Sequence, residues 1–158
     1  MVKKILKENW ISAILSVVLL SIVIIGITAY FVYQKALIGY VFIVLGFLHL
    51  IFLKMFGIKV KSVWPDIVFG IIDNGILVAG AIVGAGFAGI LGAIIGGSAA
   101  NAITDGFAGI FEGWTAEYLR RHKIKEKRTA LSSSLGKMAG CFFGAGLVMI
   151  IVWVILRI

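Results

Sequence analysis

Three carboxylates carry the strongest chemical signal in this sequence. Asp73, Asp105 and Glu112 stand in apolar surroundings, with Asn74 and Asn101 beside the two aspartates. The other four acidic residues, Glu8, Asp66, Glu117 and Glu126, lie close to basic residues or to expected helix ends, where water can reach them; Glu117 can pair with Arg120 or Arg121 on a helix face. A charged side chain at the centre of a bilayer costs about 2.5–3.5 kcal/mol even on the lenient insertion scale, and such residues usually mark an ion or proton route. Carboxylate and amide oxygens are the ligands that hard or borderline divalent cations prefer. Two or three carboxylates balance one dication, and because burial disfavours the ionised form they could exchange protons for it. The expected metal ligands are therefore Asp73, Asp105 and Glu112, with Asn74 and Asn101 assisting. The plainer account is that these groups are protonated or bonded to polar neighbours and only hold helices in register.

Other chemistry is poorly represented. His49 falls near the end of an apolar run and His122 in a basic stretch, and with no His or Cys spaced nearby both are expected to be interfacial and solvated. Cys141 is the only cysteine, which excludes an internal disulfide and a thiolate zinc cluster and leaves a small packing residue. No Ser-His-Asp set, phosphate loop or zinc-protease helix is present. Asp105-Gly106 could begin the motif of the membrane CDP-alcohol phosphotransferases, but the Ala-Arg pair that should follow is missing. The chain is not expected to be an enzyme or to hold a tightly bound cofactor.

The elements that position these residues follow from composition. Of 158 residues 61% are hydrophobic and 14% charged, too much apolar surface to hide in one soluble core, so lipid must be part of the solvent. Apolar runs at about 9–33, 36–57, 64–91, 93–119 and 136–157 give five expected transmembrane helices in one all-α integral membrane domain, 1–158. The opening MVKKILKENW and its apolar run imitate a signal peptide, but no Ala-x-Ala-like site follows, so the run is expected to remain as the first span. The boundary between the third and fourth runs carries no charge, and Gly92, Gly96, Gly97 and Ser98 are the expected hairpin turn.

Charge fixes the expected orientation. With the N-terminus in the cytoplasm, that side receives Lys3, Lys4, Lys7, Lys54, Lys59, Lys61, the basic residues of RRHKIKEKR at 120–128, and Lys137; of 15 Lys and Arg only Lys35 and Arg157 remain outside. This is the positive-inside pattern for N-in, C-out and requires an odd number of spans. The net charge of +8 thus reflects topology and contact with anionic lipid heads at 120–128, and no soluble basic domain exists to bind nucleic acid.

Trp64 and Trp114 are expected interface anchors, each nine residues from an aspartate, or about 13 Å of helix. Asp73 and Asp105 then share one depth if the hairpin centres near Gly89; if it centres near Gly92, Glu112 is the closer partner of Asp73. Asn101, Asp105 and Glu112 fall on one helical stripe, and Asp66, Gly70 and Asp73 on another. Glycines spaced at four, Gly80 with Gly84, Gly92 with Gly96, and Gly136 with Gly140 and Gly144, allow close helix approach, either within the monomer or between subunits.

The stretch PDIVFGIIDNGILVAGAIVGAG followed by AANAITDGFAGIFEGWTAEYLRRH resembles the first two helices of the vacuolar iron transporter family, over about 64–122 of the chain. The resemblance implies a pathway for ferrous or manganous ions at the interface of a homodimer, with Asp73 matching the family's pathway aspartate. Asn74 is inserted relative to the family's Gly-x-x-Asp-Gly-like element, and Asp105 stands where the family has a pathway methionine, which makes the site harder and more anionic. The family's long cytoplasmic helices rich in Glu and Met are replaced by the short basic loop. The expected function is divalent metal cation transport, iron- or manganese-like and open to proton coupling; the alternative is a non-transporting membrane scaffold or assembly subunit whose polar residues specify helix pairing.

Overall fold

A computed structural model describes residues 2–122 and 129–157, with the side chains of 2–9, 115, 116 and 119 outside the description. The basic residues at 123–128 and the side chains of Lys3, Lys4, Lys7 and Glu8 therefore lie outside the described residues. The fold is all-helical: α1 (Val2–Phe31), α2 (Lys35–Met55), a 3-10 turn (Val60–Ser62), α3 (Trp64–Arg121) and α4 (Ala130–Ile150), which continues as a π-helical segment (Ile151–Ile155). All four long helices are long and apolar enough to cross a membrane, with mean hydropathy between 2.2 and 2.7 over their apolar stretches.

Helix α3 is folded back on itself. Ala88 (φ −142°, ψ 27°) and Gly89 (φ 57°, ψ −133°) leave the helical region, and the two arms, 64–87 and 90–121, run antiparallel from there. Gly89 has the positive φ that a side chain disfavours. The expected turn at Gly92, Gly96, Gly97 and Ser98 is thus corrected to 88–89. Those residues are helical because glycine is needed there for contact: a Cβ on Gly92 would lie 1.9 Å from the Gly84 carbonyl oxygen, and one on Gly96 2.2 Å from that of Gly80. The arms meet backbone to backbone, as small residues permit where helices have no hydrophobic force between them.

The remaining boundaries follow local signals. Helix α2 ends in a Schellman arrangement: Gly57, at φ 70°, donates its N–H to the Lys54 carbonyl (3.0 Å), and Ile58 donates to that of Leu53 (2.9 Å) while its side chain packs on Leu53. Pro65, with no N–H to lose, occupies the first turn of α3. Helix α4 begins at Ala130, ahead of the expected 136, because Thr129 and Ser132 form a capping box: the Ser132 N–H donates to Thr129 Oγ1 (3.2 Å), and the Thr129 N–H to Ser132 Oγ (2.8 Å).

Helix α4 is the hub. Its stripe of Gly136, Gly140 and Gly144 packs within the protomer on the first arm of α3: a Cβ on Gly140 would come within 2.1 Å of the Ile67 carbonyl oxygen, and one on Gly144 within 2.2 Å of that of Ile71. The opposite face meets α2, where Gly146 approaches Gly39 and Phe143 covers Gly46. Two small clusters fill the core, Ile38 with Ala145 and Met149 near one end and Leu53 with Val63 and Leu135 near the other. Helix α1 buries only Ala13 among its described hydrophobic side chains and leaves Leu19, Ile22 and Ile25 more than 60% exposed. An apolar exterior of this size suits a lipid solvent and would be penalised in water.

The packing also sorts the charges. The first arm of α3 runs parallel to α4, and α2 runs antiparallel to it, so Lys54, Lys59, Lys61, Arg120, Arg121 and the start of α4 share one end. Trp10 and Ala13 of α1 line a crevice with Ala130 and Ser134, which puts the start of α1 at that same end. The α1–α2 connection with Lys35, the 88–89 turn and Arg157 lie at the other.

Candidate functional site

The hairpin of α3 carries all five expected ligand residues. Asp73, partly buried on the first arm, accepts a hydrogen bond from the Thr104 hydroxyl across the hairpin. Thr104 is 4% exposed, and its Oγ1 also lies 3.2 Å from the Ala100 carbonyl and 3.0 Å from that of Asn101. One hydroxyl proton cannot serve three acceptors at once, so the Asp73 bond competes with the backbone bonds that Thr normally makes inside a helix. Asn74, the next residue, points to α4 and donates to the Cys141 carbonyl at 3.4 Å. The first arm is thereby fastened to both of its neighbours at one level.

Asp105 follows Thr104 and so lies at the level of Asp73, as a hairpin centred near Gly89 requires. It is on the exposed side of the second arm, where Asn101 Nδ2 donates to its Oδ2 at 2.9 Å. Glu112, two turns further along, accepts from Lys137 Nζ of α4 at 3.2 Å. That ammonium also stands 4.8 Å from the centre of the Phe69 ring, close enough for a cation–π contact. The structure thus joins Asp73 to Thr104, Asp105 to Asn101 and Glu112 to Lys137. Among the described residues, no three His, Cys, Asp or Glu side chains converge on one point.

Three residues outside the expected set belong to this account. Thr104 shows no signal of its own in the sequence; it becomes visible once the turn is fixed at 88–89, because it is the residue opposite Asp73. Lys137, expected at the cytoplasmic flank, lies two turns inside α4 because that helix starts at Ala130. Asp66, expected near the surface, is 5% exposed and accepts from Ser133 Oγ at 3.3 Å. It sits in the first turn of α3, where the helix dipole favours an acid.

The histidines divide. His122 is exposed and bonds the Tyr118 carbonyl at 2.9 Å, in keeping with a solvated residue. His49 does not: it is fully buried, a correction that follows from the α2–α4 contact, where it lies 5.2 Å from the Phe142 ring. Its Nδ1–H donates to the Leu45 carbonyl at 2.7 Å, which leaves the Nε2 lone pair buried without a hydrogen-bond partner. Glu117 pairs with Arg121 one turn away on an exposed face, as its spacing implies.

The second arm has an open side. Nothing lies within 4 Å of where a Cβ would stand on Gly106, Gly109 or Gly113, and Asp105 and Glu112 flank this strip of small residues. No family model, curated protein or solved structure matches the chain.

Proposed function

We propose that the chain is a five-span membrane protein, N-terminus in the cytoplasm and C-terminus outside, that carries a divalent cation of the ferrous or manganous kind and works as a homodimer. In this reading it resembles a reduced vacuolar iron transporter. The observation that carries it is the polar pair inside the hairpin, Asp73 held by Thr104, with Asp105 and its partner Asn101 at about the same level on the outer side of the second arm. Intramembrane carboxylates are costly to keep and usually serve an ion. A second copy laid against the open side of the second arm would bring another Asp105 and Glu112 toward the first pair, which supplies the oxygen ligands one protomer lacks. Protons released from the carboxylates could offset the incoming charge.

A specific observation favours the scaffold alternative. Among the described residues of a protomer no three ligands converge, and Glu112 already has a cation in Lys137. Polar residues arranged in such pairs can specify helix pairing without moving anything. The two readings separate in liposomes. Transport predicts manganous or ferrous flux that is mostly lost in Asp73→Asn and Asp105→Asn while the fold persists, because an amide keeps the shape but removes the charge that offsets the dication's lost water. It also predicts metal-dependent stabilisation of the parent, since only a ligand of the native state stabilises by mass action. Retained flux in both variants, or no stabilisation at millimolar manganese, favours the scaffold.

A further inference from the structure

The corner between α2 and α3 carries a groove with no part in the carboxylate site. Leu50, Ile51, Ile58 and Val60 line it with Lys54 and Lys59, and it encloses about 550 Å³ while remaining open to the outside. Its shape follows from the Schellman turn. Gly57 reverses the chain, Ile58 is pulled inward onto Leu53 and Val63, and the extended backbone at Lys59 carries the chain on into the 3-10 turn. The inner wall is therefore apolar, while Lys54 and Lys59 are exposed at the rim and Lys61, two residues further on, is exposed as well. Among the described residues, none of the three has an ion-pair partner. Lys54 lies in the last turn of α2, so part of its charge faces the negative end of that helix; Lys59 and Lys61 have no such compensation.

Met55, Phe56 and Trp64 are each more than half exposed around the same corner. Large apolar and aromatic side chains exposed beside unpaired lysines mark the boundary between hydrocarbon and headgroups. We propose that this corner is a binding site for one anionic phospholipid, an acyl chain lying along Leu50, Ile51 and Ile58 and the phosphate held by Lys54 and Lys59. Charge complementarity selects this occupant. A zwitterionic lipid would fill the apolar wall equally well but would leave the two rim lysines without a counter-charge. The site rests on the membrane-spanning reading, with this end of the bundle at headgroup level, and is independent of metal transport.

The test uses the full chain in vesicles of phosphatidylcholine containing either phosphatidylglycerol or further phosphatidylcholine with a photoreactive acyl chain, and maps the labelled residues. Phosphatidylglycerol should label residues 50–60 well ahead of phosphatidylcholine. Each basic residue near an anionic surface is worth a factor of about five in affinity, so Lys54→Gln with Lys59→Gln should weaken labelling there by about 25-fold, and Lys54→Arg with Lys59→Arg should restore it. Equal labelling by the two lipids, or labelling unchanged in the glutamine variant, would overturn the site. Displacement of the lipid by millimolar glycerol 1-phosphate would do so as well, since it would mean that the lysines hold a free phosphate ester. Alkaline carbonate extraction of the membranes checks the underlying reading separately: a chain that is extracted removes both, whereas a retained chain without lipid preference removes only this site.

Discussion

Adding one methyl group at Gly140 should be enough to part α4 from α3. The Cβ of Gly140→Ala would stand 2.1 Å from the Ile67 carbonyl oxygen, 2.9 Å from its carbon and 3.0 Å from Gly70 Cα. All three are backbone atoms, so no side-chain rotation relieves the clash and one helix must move. Overpacking costs typically about 1–3 kcal/mol, while the better helix propensity of alanine returns about 1 kcal/mol. The displacement also reaches Asn74, whose bond to Cys141 is one residue along from the contact. Losing that bond adds about 0.5–1.5 kcal/mol to the remaining ~0–2 kcal/mol, so a net loss of about 0.5–3.5 kcal/mol is expected for Gly140→Ala, and a larger one for Gly140→Leu. Gly109→Ala is the matched control, because nothing lies within 4 Å of the added methyl; in monomeric protein it should be neutral or stabilised by up to about 1 kcal/mol. Reversible unfolding in detergent measures both, and size-exclusion chromatography with light scattering reports the oligomer. A Gly140→Ala protein as stable as the parent would refute the packing argument. A Gly109→Ala protein that unfolds normally but no longer dimerises would locate the subunit contact on the open side of the second arm.

Cysteine labelling in intact cells should find 120–128 and the N-terminus protected and the C-terminus reachable from outside, since the basic residues collect at one end of the bundle; outside labelling of 120–128 would end the five-span topology. Gly89→Ala should cost about 1–3 kcal/mol in unfolding experiments, because φ 57° with ψ −133° is a conformation that side chains oppose, whereas Gly86→Ala, with open space around it, should be tolerated. His49→Phe should change stability in thermal unfolding by less than about 1.5 kcal/mol, since it removes both the buried Nε2, which has no partner among the described residues, and the Nδ1–H bond to the Leu45 carbonyl, and these effects oppose each other; a loss above about 3 kcal/mol would show that more than the Leu45 bond is lost.

The helical class and the division of charge were legible in the sequence because both depend on composition along the chain. Apolar runs of about 20 residues have few alternatives once water is excluded from the backbone, and the clustering of Lys and Arg survives any small error in the boundaries. The hairpin turn was harder. Gly86, Gly89, Gly92, Gly96 and Gly97 all break a helix on propensity alone, and only packing tells which glycine bends the chain and which lets two arms touch. Moving the turn from Gly92 to Gly89 selects Asp105 over Glu112 as the residue level with Asp73 and brings Thr104, unmarked in the sequence, opposite it. His49 shows the same limit: its place near the end of α2 suggested solvent, but rotation about the helix axis turns it onto Phe142, and a single sequence does not encode which neighbour waits there.

Lys137 bears most directly on the choice between transport and scaffold. Its ammonium contacts both Glu112 and Phe69, and it lies one turn of α4 before Cys141, whose carbonyl accepts the Asn74 bond. If the hairpin only needed to be pinned to α4, a neutral pair would do so without placing two charges near hydrocarbon. In the transport reading the same ammonium satisfies Glu112 in the unloaded state and would be displaced on loading. Both groups are partly exposed, with 42% of the Lys137 side chain and 60% of the Glu112 side chain accessible, so the pair is weak, and in that reading a dication would exchange for it at little cost. Asp73 is partly buried and has no cation of its own within the hairpin, so the transport reading would make it the deeper site. The transport reading would then take Glu112 as the outer carboxylate and Asp73 as the inner one, on residues of three separate helical segments that the glycine contacts bring into register.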